Sequence, residues 1–401
     1  MSEIVNADIR KILDSRGNET VEVDIYTKYG FGRASAPSGA SKGENEVKDY
    51  PQGGINESLR IFRQEVAPKI VGFDASDQNN FDALLEEIDG TGNFSRIGGN
   101  LAVAISMAAA KASADEFGIP LYRYIGGLNY AIPAPLGNVI GGGAHAVNGT
   151  TIQEFLISTH SKDIYEAILT NAKIHRAIKD KLSKSLNTPL GMGDEKAWVV
   201  PMKDEDVFEL LNGIVQQYRD STGLDIDLGI DMAASSFYKN GKYYYRDRAL
   251  TREEQIDFVI SLVKEYGLKY VEDPMEQNDF EGYATITKEV GDRAYIVGDD
   301  LYTTNRDLLQ KGLSLLSTNA VLLKPNQVGT VSRLINTWKL AKENGLGTIV
   351  SHRSGETNDE FIAHLAVGLS TDYIKTGTVG GERIAKLNEL VRIQGEIGGI
   401  R

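Results

Sequence analysis

Tyr270-Val271-Glu272, Ile296-Val297-Gly298-Asp299, Val321-Leu322-Leu323-Lys324, Ile349-Val350-Ser351-His352 and Tyr373-Ile374-Lys375 are five short apolar runs, each ending on a side chain that can carry charge. Their last residues stand 27, 25, 28 and 23 positions apart, the length of one strand plus one helix. Gly229-Ile230-Asp231 precedes them as a sixth run. Between the runs, Glu253 to Tyr266, Arg306 to Lys311, Thr330 to Asn344 and Asp359 to Val367 carry helical signals, which predicts parallel strands joined by crossover helices. That order closes into a (β/α) barrel. Its functional groups gather at the C-terminal ends of the strands, where the following loops are free to vary.

Working outward, Val21, Val23 and Ile25 alternate with polar neighbours, and a second run, Phe31 to Ala36, follows Lys28-Tyr29-Gly30, which predicts an antiparallel hairpin. Ile55, Leu59, Phe62, Val66 and Ile70 fall at helical spacing, then Phe81, Leu84, Leu85 and Ile88, then an alanine-rich helix ending at Gly118. Pro120, Pro133 and Pro135, with Gly126, Gly127 and Gly137 among them, place a boundary near residue 130. The expected fold is therefore α/β, with an N-terminal α+β domain over 1–130 and a barrel over 131–401. Asn240-Gly241, between Phe237-Tyr238-Lys239 and Lys242-Tyr243-Tyr244-Tyr245, predicts a local tight hairpin.

A net charge of −13 over 401 residues disfavours nucleic acid or an anionic membrane as a partner. Without cysteine there are no disulfides, thiolate metal sites or thiol nucleophiles. The most apolar stretch, Leu101 to Ala112, contains Lys111 and falls short of the roughly 20 residues a bilayer requires. Met1-Ser2-Glu3-Ile4 lacks a basic, apolar leader, so cytoplasmic residence is the expectation.

Asp231, Glu272 and Asp299 are hard oxygen donors at successive strand ends, a set that suits magnesium better than zinc or copper. Lys324 leaves an apolar strand toward the barrel mouth, where a nearby divalent ion and a second lysine, Lys375, would lower its pKa and let it act as a base. Ser351-His352-Arg353-Ser354-Gly355-Glu356-Thr357 packs an imidazole, a guanidinium and hydroxyls into one strand-to-helix turn, a setting for phosphate, although Ser354 or Thr357 could equally be a helix cap. His145 lies in the glycine loop Gly141-Gly142-Gly143-Ala144-His145, with Glu154 nine residues on. Glu195, in Gly193-Asp194-Glu195, would form a like-charged pair with Glu154 in which one carboxyl keeps its proton, as a general acid must. His160, His175 and His364 read as structural or surface residues.

Together with Leu13-Asp14-Ser15-Arg16-Gly17-Asn18, Pro37-Ser38-Gly39-Ala40-Ser41, Gln153-Glu154-Phe155, Glu272-Asp273-Pro274, Leu323-Lys324-Pro325-Asn326-Gln327 and Ile374-Lys375-Thr376-Gly377, these motifs run in order from Leu13 to about Ile393, and the chain resembles the enolase family over nearly its whole length. The resemblance implies a modified barrel whose early strands depart from the regular order. It implies reversible dehydration of 2-phospho-D-glycerate to phosphoenolpyruvate, with Lys324 as base and Glu195 as acid. It further implies substrate contacts from His145, Glu154, His352, Arg353, Ser354 and Lys375, and a first magnesium on Asp231, Glu272 and Asp299. A second magnesium would arrive with substrate and be completed by Ser41. A homo-oligomer, a dimer or an octamer built as a tetramer of dimers, is also implied.

Lys196 and Ala197 stand where the family usually has two small residues, often glycines, and Lys196 would put a cation beside Glu195 and lower its pKa. Glu19 and Ser236 depart from the family pattern away from the proposed chemistry. Two rivals accompany this reading: another member of the wider superfamily, such as an acid-sugar dehydratase or racemase, and a non-catalytic binding protein that keeps the fold.

Overall fold

The computed structural model describes residues 1–146, 148–186 and 190–398. The chain opens with an antiparallel sheet of β1 (Ile4–Leu13), β2 (Glu19–Thr27) and β3 (Phe31–Ser35), with β2 in the centre. The predicted hairpin is β2–β3. Polar residues interrupt β1, which carries no clear alternation. Val21, Val23 and Ile25 are fully buried beneath the helix Gly99–Glu116. That helix lies directly on β3: a Cβ on Gly32 would come 1.9 Å from the Ala108 carbonyl oxygen, and one on Gly30 2.3 Å from that of Ala112. Glycine on the strand and alanine on the helix are what this approach demands. The helix spaced from Ile55 to Ile70 is α-helical over Gly54–Ile61 and Ala67–Ile70 but π-helical over Phe62–Val66, just before Pro68, whose missing N–H cannot continue a regular ladder.

Eight strands then close a barrel: β4 (Ala134–Gly141), β5 (Glu154–His160), β6 (Asp225–Asp231), β7 (Tyr270–Glu272), β8 (Tyr295–Gly298), β9 (Ala320–Leu323), β10 (Gly347–Ser351) and β11 (Tyr373–Lys375), with β11 pairing back to β4. From β6 onward the neighbours are parallel and each pair is joined through a helix, as the six runs predict. The helix Phe280–Val290 between β7 and β8 completes the series. Leu136, Leu156, Tyr270, Val297, Leu322, Ile349 and Tyr373 fill the interior.

One strand runs against the rest. β5 is antiparallel to both β4 and β6. The short loop after β4 has no room for a crossover helix, so β5 returns directly. Two helices, Ile164–Leu186 and Asp204–Thr222, then separate β5 from β6. Reversal brings the first residue of β5, rather than its last, to the mouth of the barrel.

At the opposite end, His160 Nε2 lies 2.6 Å from Asp227 Oδ2, which also accepts from the Tyr373 hydroxyl at 2.7 Å. The hydrogen bond to Asp227 raises the His160 pKa, while Asp227 is lowered against its own burial by His160 and Tyr373. A raised histidine stabilises the fold fully below its unfolded pKa, near 6.5, and this contribution fades as pH rises through the folded value; the depressed carboxyl contributes above its unfolded pKa and fades on acidification. His160→Gln should therefore cost most stability between about pH 4 and pH 6.5 and progressively less above neutrality. Urea melts across that range check this, and a cost that grows with pH would refute it.

Candidate active site

Strand register places three carboxylates side by side at the barrel mouth. Glu154, opening β5, stands opposite Asp231, ending β6, and Asp231 stands opposite Glu272, ending β7. Like charges directly opposite on adjacent strands repel, so the row needs cations. Lys375, at the end of β11, donates to Asp231 Oδ2 at 2.9 Å and to Glu272 Oε2 at 2.8 Å, and lies 3.3 Å from Glu154 Oε2. All four side chains are buried. Burial opposes a charged lysine, yet the three carboxylates hold Lys375 well above its ordinary pKa. Glu272, buried and facing Asp231, is pushed up to about 8.

Asp299 follows β8 and is paired with Lys324, which follows β9. Burial would lower the Lys324 pKa, but Asp299 outweighs it and the value is raised. The expected lowering is not found, because the Lys324 ammonium is paired with the Asp299 carboxylate. Gln327 donates to Asp299 Oδ1 at 2.8 Å. The two oxygens of Asp273 accept from the backbone N–H groups of Asp299 and Asp300, at 2.9 and 2.8 Å, and so fix the turn that carries Asp299.

The donor set fits a hard divalent cation. Asp231, Glu272 and Asp299 supply only carboxylate oxygens from adjacent strand ends, and Glu272 Oε1 is buried without a hydrogen-bond partner. Ser41, from the loop 37–46, lines the same narrow polar cavity as Asp231, Asp299, Lys324 and Lys375.

Across the cavity, His145 Nδ1 lies 3.6 Å from Glu154 Oε1 and 3.8 Å from Glu195 Oε1, and Asn138 donates to Glu195 Oε2 at 3.2 Å. Glu154 and Glu195 form the expected like-charged pair on either side of His145, and their surroundings drive their pKa values in opposite directions. Burial and the Glu195 charge raise Glu154 well above the usual range, whereas burial of Glu195 is overridden by His352, His145 and Arg383, which hold it well below. Lys196 is not the cation that faces the acid: its Cγ packs against Gly380, where an added Cβ would come within 2.7 Å. Its backbone sits at φ 62°, a left-handed conformation that glycine adopts without strain.

The turn after β10 is stitched to the N-terminal lobe. Ser38 and Gly355 exchange backbone hydrogen bonds of 2.7 and 2.8 Å, and the Ala40 N–H donates to Ser354 Oγ at 2.7 Å. The Arg353 fork, expected to meet phosphate, is engaged with Glu46, at 2.9 and 3.0 Å, and also donates to Asn326 Oδ1 and the Ser41 carbonyl oxygen. His352 Nε2 lies 3.3 Å from Glu195 Oε1. Every sequence-derived site residue thus lies in or directly beside one cavity. Glu46, Asn138, Gln153, Asp273, Gln327 and Arg383 also belong there. Of these, Gln153, Asp273 and Gln327 stand within motifs already singled out, whereas nothing local marks the other three.

His175 and His364 are structural as expected: His175 stacks on Trp198 and reaches the Lys196 carbonyl oxygen, and His364 pairs with Glu389. Among the described residues, no helix is long and apolar enough to cross a membrane.

Residues 4–125 match the family model "Enolase, N-terminal domain" and residues 129–400 match "Enolase, C-terminal TIM barrel domain". Curated relatives named Enolase include those of Thermoplasma acidophilum, 52% identical over 387 residues and 96% of each chain, and Picrophilus torridus, 50% identical over 396 residues, covering 98% of this chain and 99% of the relative. A third, from Halorubrum lacusprofundi, is 49% identical over 399 residues, 98% of this chain and 99% of its own.

Proposed function

The chain belongs to the enolase family, and from that premise we propose how its own residues carry the reaction. It is a carbon–oxygen lyase that interconverts 2-phospho-D-glycerate and phosphoenolpyruvate, and its family depends on magnesium. The observation that carries the reading is the meeting of two buried lysines, one row of carboxylates and one arginine-bearing turn around a single polar cavity.

Lys324 takes the proton from the carbon beside the substrate carboxylate, and the C–H electron pair moves into that carboxylate, giving a dianionic enediolate. The double bond then forms toward the neighbouring carbon as its hydroxide leaves, protonated by Glu195 to water. Magnesium, when bound, would supply positive charge for the growing dianion. Asp231, Glu272 and Asp299 would hold the first ion, and Ser41 would complete a second that comes with substrate. Lys375 adds fixed positive charge from its place among Glu154, Asp231 and Glu272.

Glu195, held well below the usual carboxylate range, suits the hydration direction, in which it accepts a proton from water. For dehydration it must first be protonated, and Glu154, on the other side of His145 and raised well above the usual carboxylate range, is the neighbour suited to hold a proton for it. His145 and His352 flank the reacting carbons, and Arg353 with Ser354 takes the phosphate, sharing the guanidinium between Glu46 and substrate. A first lobe ending near residue 130, a cytoplasmic location and a homo-oligomer, either a dimer or a tetramer of dimers, complete the reading.

Purified protein with magnesium should convert 2-phosphoglycerate to phosphoenolpyruvate, followed by the ultraviolet absorbance of the new conjugated double bond. Removal of the metal should abolish the signal and its return should restore it. A folded, magnesium-loaded protein without turnover would count against the proposal.

A further inference from the structure

Arg383 is fully buried on the C-terminal helix Gly381–Ile397, within a string, Gly380-Gly381-Glu382-Arg383, that has no local mark of function. Its guanidinium fans across the turn after β10. One terminal nitrogen lies 2.9 Å from His352 Nδ1 and 2.6 Å from the Arg353 carbonyl oxygen, and the other 2.7 Å from the Ser354 carbonyl oxygen.

Guanidinium has donors only and cannot accept. His352 Nδ1 must therefore accept, which requires a bare lone pair there. A neutral ring with a bare Nδ1 carries its proton on Nε2, and Nε2 is the atom 3.3 Å from Glu195 Oε1. Nε2 is buried and has no aligned hydrogen-bond partner, so its N–H is directed at the cavity but not consumed. Turning the ring over would put carbon against the arginine N–H and leave Nδ1 without its partner. The ring is also kept uncharged: burial and the Arg383 charge outweigh Glu195 and Glu356, and His352 is pushed down to about 4.

We propose that Arg383 is a positioning residue that locks His352 in the Nε2–H tautomer, so that the ring offers a fixed hydrogen-bond donor to Glu195 and to an acceptor oxygen of the bound substrate. His352 then cannot serve as a base. It orients the acid, and the atom of substrate beside it must be an oxygen able to accept. This deepens the reading above and rests on the role given there to Glu195.

The chain has five histidines, so ¹⁵N-histidine labelling gives a spectrum simple enough to assign, with His352→Gln identifying the signal by its loss. In the wild-type protein the His352 ring should be neutral near pH 7, with a pyridine-type Nδ1 and a protonated Nε2, and should stay so down to about pH 5.5. An imidazolium or an Nδ1–H tautomer near pH 7 overturns the proposal. Arg383→Lys keeps a donor and should preserve the tautomer, while Arg383→Met should release the ring to a mixed or titrating state and shift the acidic limb of kcat/KM. If Arg383→Met does not fold, the wild-type and Arg383→Lys spectra still decide the matter. An active enzyme with the wrong tautomer defeats this inference alone, whereas an inactive enzyme with the right one defeats the proposed reaction alone.

Discussion

Lys324→Ala should lower turnover at least ~10²-fold, the lower bound for loss of a positioned base, while the protein keeps its fold and still binds magnesium. The expectation rests on placement. Lys324 is a buried lysine at the cavity whose ammonium pairs with Asp299, a carboxylate of the proposed metal set. A cation held there would compete with Lys324 for the carboxylate and favour the neutral amine. The distinguishing measurement is exchange of the substrate's carbon-bound hydrogen with solvent, which should vanish in Lys324→Ala even where slow net turnover persists. Undiminished exchange would assign the base elsewhere.

Lys375→Met should act differently, because Lys375 is structural counter-charge as well as a proposed substrate contact. Its loss leaves Glu154, Asp231 and Glu272 buried with no ammonium between them, and breaking a buried ion pair from one side typically costs about 3–5 kcal/mol. The loss should be largest in metal-free protein above neutral pH. It should shrink on acidification, as the raised Glu154 and Glu272 take protons in the folded state, and also when magnesium is added. Denaturant midpoints with chelator and with magnesium test this. Equal midpoints for wild type and variant in chelator would show that the carboxylate row does not need the lysine, and activity should be lost in either medium.

The barrel was legible because it repeats. Glu272, Asp299, Lys324, His352 and Lys375 each end a run of apolar residues one strand and one helix from the next, as successive parallel strand ends require, and Asp231 ends an earlier run of the same kind. Reversal of β5 left no such mark in composition or periodicity, and entered only through the family likeness, since it depends on loop length and on which edge the returning chain can pair. Glu154 was visible, but its register against Asp231 was not. Which carboxyl of the Glu154 and Glu195 pair is raised and which is lowered was not legible, because Arg383 and two imidazoles converge on Glu195 from three distant segments. Likewise Glu46 is one acid among 56 acidic residues until the fold sets it against Arg353. The two rival readings give way to relatives named Enolase over essentially the full chain.

The exchange of backbone hydrogen bonds between Ser38 and Gly355 has a wider meaning. A hairpin-bearing lobe that touched the barrel only through side chains could drift over generations, altering its grip one residue at a time. Main-chain pairing fixes the seam without long side chains, yet it demands glycine at 355, where an added Cβ would come 2.8 Å from the Ser38 carbonyl oxygen and 2.7 Å from an Asp14 carboxyl oxygen. The catalytic chamber is thus inherited as a joint between two halves, and neither half on its own encodes a complete wall.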